Sequence, residues 1–385
     1  MLMINVMMNQ QHFCIYPFLQ IVSRTNAGLS ACCLIKDMGD ARQHSLREFW
    51  HGDAMHDLRQ QMLQGDVPIG QCSACQRSEN DFGTSMRTQA LRDHGIDFRE
   101  CMTSQIDIQD LQHRDFARRI ELHVGNTCNL KCLTCEPSDS SMLLQENRVL
   151  KISNDDQRRY SYPEDLIDNM FDEILQHHID LLDLRGGESM LIPVIKRRLL
   201  ALPDHVYQDT TLRIQTNGTI YDHDWREIFQ RFQRLEIMVS VDGHGSVNDY
   251  IRFPSQWDQI QRNIVNFQSH DPVNLFVNTV VSNLSFPRLN ELLAWSQRQD
   301  IYCHLSPLQD PVMFLSDNLP PEILSLAQDR LRDHDHHPMV SALLELVPRC
   351  DDDLWQAFCN MIDLRDRHRK NRIFDILPEL KQFWH

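Results

Sequence analysis

The chain of 385 residues contains no run of 18 apolar residues, so it holds no segment able to span a bilayer as a helix. Its opening stretch, MLMINVMMNQQHF, lacks a basic n-region, a long apolar core and a small-residue cleavage site. No signal peptide is expected, and the chain is expected to work in the cytoplasm, away from membranes. Positive charge is also scarce: 38 Lys and Arg stand against 54 Asp and Glu, a net charge of −16. Non-specific nucleic-acid binding draws most of its affinity from phosphate contacts and needs the opposite sign, so no nucleic-acid partner is expected. Internal repeats and long low-complexity tracts are absent. With 42% hydrophobic and 24% charged residues, the composition excludes a disordered chain. At roughly 150 residues per domain the length suggests two or three units, or one large α/β unit with additions.

What the sequence does have is cysteine, twelve in all, nine of them within the first 135 residues. In a chain expected to meet a reducing cytosol, structural disulfides are disfavoured, and clustered cysteines read first as metal ligands or catalytic thiols.

Residues 1–100 read as one small unit. FCIYPFLQIV and LSACCLI flank a polar turn and predict a strand pair. Leu46, Phe49, Trp50, Leu58, Met62 and Leu63 then recur at helical spacing, with Gly65 suited to a helix end. Residues 101–118 are polar and mixed, and read as a linker. From 119 onward strands and helices alternate. The predicted strands are 119–125, 179–186, 211–218, 235–243, 274–282 and 302–307, with helical patterns between them. Six βα units in succession predict an α/β fold with a parallel sheet, barrel-like or open, whose ligand sits at the carboxyl ends of the strands. Residues 311–385 read as a mostly helical C-terminal extension.

The first predicted barrel strand runs into NTCNLKCLTC, which places Cys128, Cys132 and Cys135 in a C-x3-C-x2-C loop. Tetrahedral zinc normally takes four protein ligands. Three thiolates fit a [4Fe–4S] cluster with one iron left open to a small molecule. Here the sequence resembles the radical S-adenosylmethionine (SAM) enzymes over residues 119–310. That resemblance implies a partial (β/α)6 TIM-like barrel. It also implies that the open iron chelates the amino and carboxylate groups of SAM. The cluster then reduces SAM to methionine and a 5′-deoxyadenosyl radical, which abstracts a hydrogen atom from the substrate.

Further matches follow in order. Gly186, Gly187 and Glu188 look like the family's GGE motif: the glycines allow close backbone approach, and Glu188 can accept a hydrogen bond from the SAM ammonium. Thr216, Asn217 and Gly218 stand as the family's TNG. Ser240, Asp242 and Gly243 end the fourth strand, and Arg252 follows nine residues later. In similar enzymes such a Ser and Arg contact the SAM carboxylate and ribose. Val280–Asn283 (VVSN) would flank the adenine. Thr134 departs from the aromatic residue often found before the third cysteine, which touches the adenine contact there but not the cluster.

A second constellation precedes the first. Cys14, Gly28, Cys33, Cys72 and Cys75 follow the order C…G-x4-C…C-x2-C. Four thiolates can hold zinc or a fully ligated [4Fe–4S] cluster, and spacing alone does not choose. The order resembles the opening of the SPASM/twitch auxiliary-cluster domain, in its shorter form with one cluster. Such domains usually follow the barrel, whereas this one precedes it. Cys33 is favoured over the adjacent Cys32 as a ligand because of its spacing from Gly28.

Cys101, Cys303, Cys350 and Cys359 have no partner spacing and read as free thiols. The His334–His337 run and His177–His178 read as solvated loops. Ser85 and Arg87 are candidates for docking the N-terminal unit. The expectation is a radical SAM oxidoreductase with an auxiliary [4Fe–4S] cluster for electron transfer. Its implied partners are a peptide or protein substrate and a one-electron donor such as flavodoxin or ferredoxin. A sugar or small metabolite is the alternative substrate class, and a non-catalytic metal-stabilised interaction protein is the rival function. No cobalamin-binding domain is evident.

Overall fold

A computed structural model describes residues 13–64, 72–93, 114–152 and 161–384. Gly65, Cys101 and residues 101–113 of the predicted linker lie outside them. The chain divides into two compact units.

The first unit comprises the described residues of Met1–Gly125, Tyr160–Gly186 and Arg197–Leu212. Its strands are β1 (Gln20–Ser23), β2 (Gly28–Ser30), β3 (Gly39–Asp40), β4 (Arg119–His123) and β5 (Leu181–Arg185), in the order β3-β2-β1-β4-β5. The predicted N-terminal strand pair is the antiparallel hairpin β1–β2. This hairpin extends the sheet: β1 runs parallel to β4, with Ile21 opposite Ile120. β4 and β5 are parallel, so Glu121 faces Asp183 and His123 faces Arg185. Alternation puts Ile120, Leu122, Leu182 and Leu184, all buried, on the opposite face from these four polar residues.

The helical stretch after residue 45 is two helices, Leu46–His51 and Asp53–Gln64. Ser45 opens the first with a capping box closed by Glu48. Gly52 adopts an extended conformation and ends it, so one apolar pattern spans a bend. Phe49, Trp50, Leu58, Met62 and Leu63 are buried, as their spacing predicts.

The second unit comprises the described residues of Asn126–Arg159, Gly187–Lys196 and Arg213–His385. Its strands are β6 (Thr211–Thr216, of which 213–216 belong here), β7 (Leu235–Ser240), β8 (Val273–Val281) and β9 (Tyr302–Pro307), in the order β6-β7-β8-β9. β7, β8 and β9 pair in parallel. Parallel neighbours need crossovers, and the helices His223–Arg231, Trp257–Gln268 and Leu289–Arg298 supply them. Each crossover helix buries one face, through Trp225, Ile228 and Phe229 in the first and Ile260, Ile264 and Phe267 in the second. The segment after β9 is largely helical, with Pro321–Leu331 and Asp352–Arg369 its longest elements. Among the described residues no helix is long and apolar enough to cross a membrane.

Candidate functional site

The loop carrying Cys128, Cys132 and Cys135 is held by its backbone. Lys131 N–H and Leu133 N–H donate to Phe253 O and Ile251 O, both at 2.8 Å. Ser140 caps the following helix, accepting from Leu143 N–H at 3.1 Å, and its hydroxyl donates to Leu130 O at 2.6 Å. The three thiols thus sit on a fixed turn. Burial pushes the Cys128 thiol up to about 12, with the Cys132 sulfur adding to the shift. Burial likewise raises Cys135 well above the ordinary range, again with Cys132 and Cys128 contributing. Cys132 is raised by burial, against the pull of Arg252 and Arg369. The three sulfurs therefore sense one another in a poorly solvated place, where thiolates persist once a cation compensates them.

Gly187 lies flush against the start of this loop. A Cβ there would fall 2.4 Å from Thr127 O and 2.8 Å from the carbonyl carbons of Asn126 and Thr127. Glu188 N–H donates to Thr127 O at 2.8 Å. The Glu188 carboxylate accepts from Asn217 N–H (2.7 Å), Thr216 Oγ1 (3.0 Å) and Met190 N–H (3.2 Å). Burial nonetheless lifts its pKa to about 7. The Asn217 side chain donates to Asn129 Oδ1 at 2.8 Å, and its Nδ2 lies 4.0 Å from the Cys128 sulfur. Motifs 60 to 90 residues apart thus meet at the cysteine loop. Gly186 belongs to the first unit; its φ of +112° and a backbone carbonyl 3.0 Å from its missing Cβ favour glycine there.

At the end of β7, Ser240 is buried, and Gln215 Nε2 approaches its hydroxyl at 3.5 Å. Asp242 takes a supporting place: its carboxylate accepts from Arg252 Nη1 at 2.8 Å and from Val280 N–H at 2.9 Å. Arg252 is thereby held in position, and its Nε is buried without a partner among the described residues, as is Ser189 Oγ. Asn283 of the VVSN run is fully buried and donates to Met313 O and Asn318 O at 3.0 and 3.2 Å.

In the first unit, burial pushes the Cys14 thiol up to about 12, with Cys72 and Cys75 raising it further. Cys33 is raised well above the ordinary value, first by its hydrogen bond to Cys32, then by burial. Its sulfur lies 3.7 Å from that of Met86. Gly28 earns its place in the motif because a Cβ there would land 2.1 Å from Asp37 Cγ. That carboxylate pairs with Arg24 at 3.0 Å, and Arg24 in turn donates to Cys33 O at 2.8 Å. The glycine thus makes room for the side chains that set the Cys32–Cys33 turn. Arg87 is buried, pairs with Glu79 and donates to Phe13 O at 3.1 Å, beside Cys14. Among the described residues no three Cys, His, Asp or Glu side chains are closed to metal-holding distance.

Sequence reasoning missed two polar groups. One is Glu121, whose carboxylate accepts from His123 Nε2 at 2.7 Å, beside the Arg185–Asp183 pair at 3.0 Å. The other surrounds Glu146, whose side chain is fully buried. The available signal was Glu146 and Asn147 standing on the buried face of their helix beside Leu143 and Leu144.

Residues 14–76 match the SPASM family model, described as an iron–sulfur cluster-binding domain. That description is of an iron–sulfur domain rather than a zinc-binding one. Over 135 residues the chain is 27% identical to a serine-type anaerobic sulfatase-maturating enzyme of Bacteroides thetaiotaomicron. The aligned part is 34% of this chain and 30% of the relative, so the chain spans about a third of the length of the curated relative it matches. Among solved structures, anSMEcpe with bound AdoMet aligns at a TM-score of 0.43 and 16% identity, covering 59% of this chain and 62% of that one. SuiB of Streptococcus suis bound to the precursor peptide SuiA aligns at 0.39 and 12%, covering 79% and 65%.

Proposed function

We propose that this chain, a SPASM-carrying relative of the radical SAM enzymes, reductively cleaves S-adenosylmethionine and uses the resulting radical to abstract a hydrogen atom from a peptide or protein. The observation that carries the reading is that Asn217, whose backbone N–H bonds Glu188, also bonds Asn129 and reaches the Cys128 sulfur on the three-cysteine loop. The residues fit the cofactors. Cys128, Cys132 and Cys135 supply the three thiolates of a cluster with one open iron. Gly187 keeps the approach clear. Glu188, fixed by three donors, presents carboxylate charge to an ammonium group. Ser240 and Arg252 serve the carboxylate and ribose, with Asp242 steadying Arg252. The buried Ser189 Oγ and Arg252 Nε are polar atoms for which such a ligand supplies partners.

When bound, the cluster and S-adenosylmethionine supply a carbon radical able to take a hydrogen atom from an unactivated C–H bond. The buried walls around Glu188 and Asn217 exclude water from that chemistry. Cys14, Cys33, Cys72 and Cys75 would hold an auxiliary cluster, and four thiolate ligands would suit it to electron transfer rather than to substrate binding. The auxiliary unit is read as 1–100, the core as 119–310 and the helical extension as 311–385. A macromolecular substrate is supported by the name of the aligned relative, which matures a sulfatase. A cytoplasmic setting and a flavodoxin- or ferredoxin-type donor complete the reading.

The test is iron and sulfide per chain after anaerobic reconstitution, compared with the Cys128/Cys132/Cys135→Ala variant. About eight irons should fall to about four, and reductive formation of 5′-deoxyadenosine should vanish. An iron content unchanged by the triple substitution would remove the catalytic cluster from this loop.

A further inference from the structure

Glu146 carries more positive charge around it than it can balance. Lys131 Nζ lies 3.0 Å from its Oε1, Arg369 Nε donates to Oε1 at 2.9 Å and Arg369 Nη2 to Oε2 at 2.6 Å. Arg365 pairs with Oε2 as well and reaches Asn147 Oδ1 at 2.8 Å. The Arg369 side chain is 2% exposed and that of Glu146 is 0% exposed. Three cations therefore share one carboxylate in a buried place, an excess that is unfavourable unless further negative charge stands nearby. The ring of Phe253, 5.3 Å from both Lys131 Nζ and the Arg369 guanidinium, and the nearby carboxyl of Asp366, which burial pushes toward its neutral form and Arg369 toward its ionised one, offset only part of it.

Two details tie this excess to the cysteine loop. Arg369 Nη2 also donates to Lys131 O at 2.6 Å, the carbonyl one residue before Cys132. Arg369 Nη1 is buried with no partner among the described residues. A cluster bound by three thiolates is a net anion, and it gains a further negative charge on reduction.

We infer that Arg369, from the C-terminal helix, is a positioning and charge-balancing residue of the cysteine loop: it pins the loop backbone at Lys131 and favours the reduced form of the cluster held there. The inference rests on the functional reading above. A fixed cation stabilises the more negative oxidation state and so raises the reduction potential. Arg is suited to both duties because its planar fork grips a carbonyl and a carboxylate at once, which a lysine ammonium does less well.

The test uses the full-length reconstituted protein and its apo form, as wild type, Arg369→Gln and Arg369→Lys. In an EPR-monitored redox titration, the signal lost in the Cys128/Cys132/Cys135→Ala variant reports this cluster. Arg369→Gln should disfavour reduction roughly tenfold, about 59 mV for one electron, while Arg369→Lys stays near wild type. In the apo protein, trypsin cleavage after Lys131 should quicken about tenfold in both variants, since neither grips the loop carbonyl as Arg does. If Arg369→Gln fails to fold, Arg369→Lys still separates the two duties: faster cleavage with an unchanged potential supports the inference. Unchanged potential and unchanged cleavage in a folded Arg369→Gln protein would overturn it. Absence of any signal removed by the triple cysteine substitution would instead overturn the functional reading and the redox duty with it, while the cleavage rates would still decide the positioning duty.

Discussion

Replacing Glu188 by glutamine should flatten the pH dependence of stability between mildly acidic and neutral solution. Glu188 is 1% exposed, and burial lifts its pKa from the ordinary 4.5 to about 7, even though three donors and the Arg252 charge favour the ionised form. Below pH 4.5 the folded and unfolded chains both carry the proton, and the group contributes no slope. Between 4.5 and 7 the unfolded chain has lost it while the folded chain keeps it. The native state then binds more protons, so stability falls as pH rises. A shift of this size corresponds to about 3 kcal/mol over the window, after which both states are ionised and the loss stays constant. Glutamine cannot ionise. It adds a constant offset of about 1–3 kcal/mol, because its amide nitrogen faces a donor that the carboxylate had satisfied. Urea unfolding of both apo proteins by far-UV circular dichroism, from about pH 5 to about pH 8, isolates the effect as the difference between two profiles. Profiles that run parallel across the window would refute the argument that burial governs this carboxyl group.

Gly187→Ala should destabilise the protein by about 1–3 kcal/mol and abolish S-adenosylmethionine binding, because its Cβ would meet backbone atoms that cannot rotate away. Gly83→Ala is the control: it has φ +68° but open space around it, and should cost only about 1 kcal/mol. Equal shifts in urea midpoint for the two would contradict the close approach. Glu121 has the opposite sign from Glu188: against burial, the hydrogen bond to His123 and the charge of Arg185 hold its pKa down to about 2. Its contribution is present above pH 4.5 and is lost as pH falls toward 2. Glu121→Gln should therefore weaken the protein near neutrality yet soften its acid transition, and an acid midpoint that does not move would count against the pairing.

The strands after residue 119 were legible because each is a short apolar run closed by turn residues, and the motif residues mark where each run stops. β9 falls at 302–307 as expected, and β4 to β8 differ from expectation mainly in their last residues, where the motif begins and the ladder ends. Proximity was legible only where a family pattern linked distant motifs, as with Glu188 and Asn217. The bend at Gly52 was not legible, since the apolar spacing continues across it. Nor was the parallel pairing of β1 with β4, which joins segments about a hundred residues apart, or the two-residue strand β3. Asp242 could be placed at a strand end from sequence, but its use in holding Arg252 depends on how the chain turns back. The charges around Glu146 come from helices whose surface patterns are ordinary, and only packing reveals them as buried.

The bond from Arg369 to Lys131 joins residues 238 positions apart in the chain. At roughly 5–20 residues per second, the ribosome makes the cysteine loop about 10–50 seconds before it makes the arginine that fastens it. The thiols are therefore available to scavenging metals and oxidants throughout that interval, before their surroundings exist. Maturation of this protein is in that sense an event of the finished chain: a product truncated ahead of its last long helix carries every cysteine of both constellations and still lacks the fastened loop.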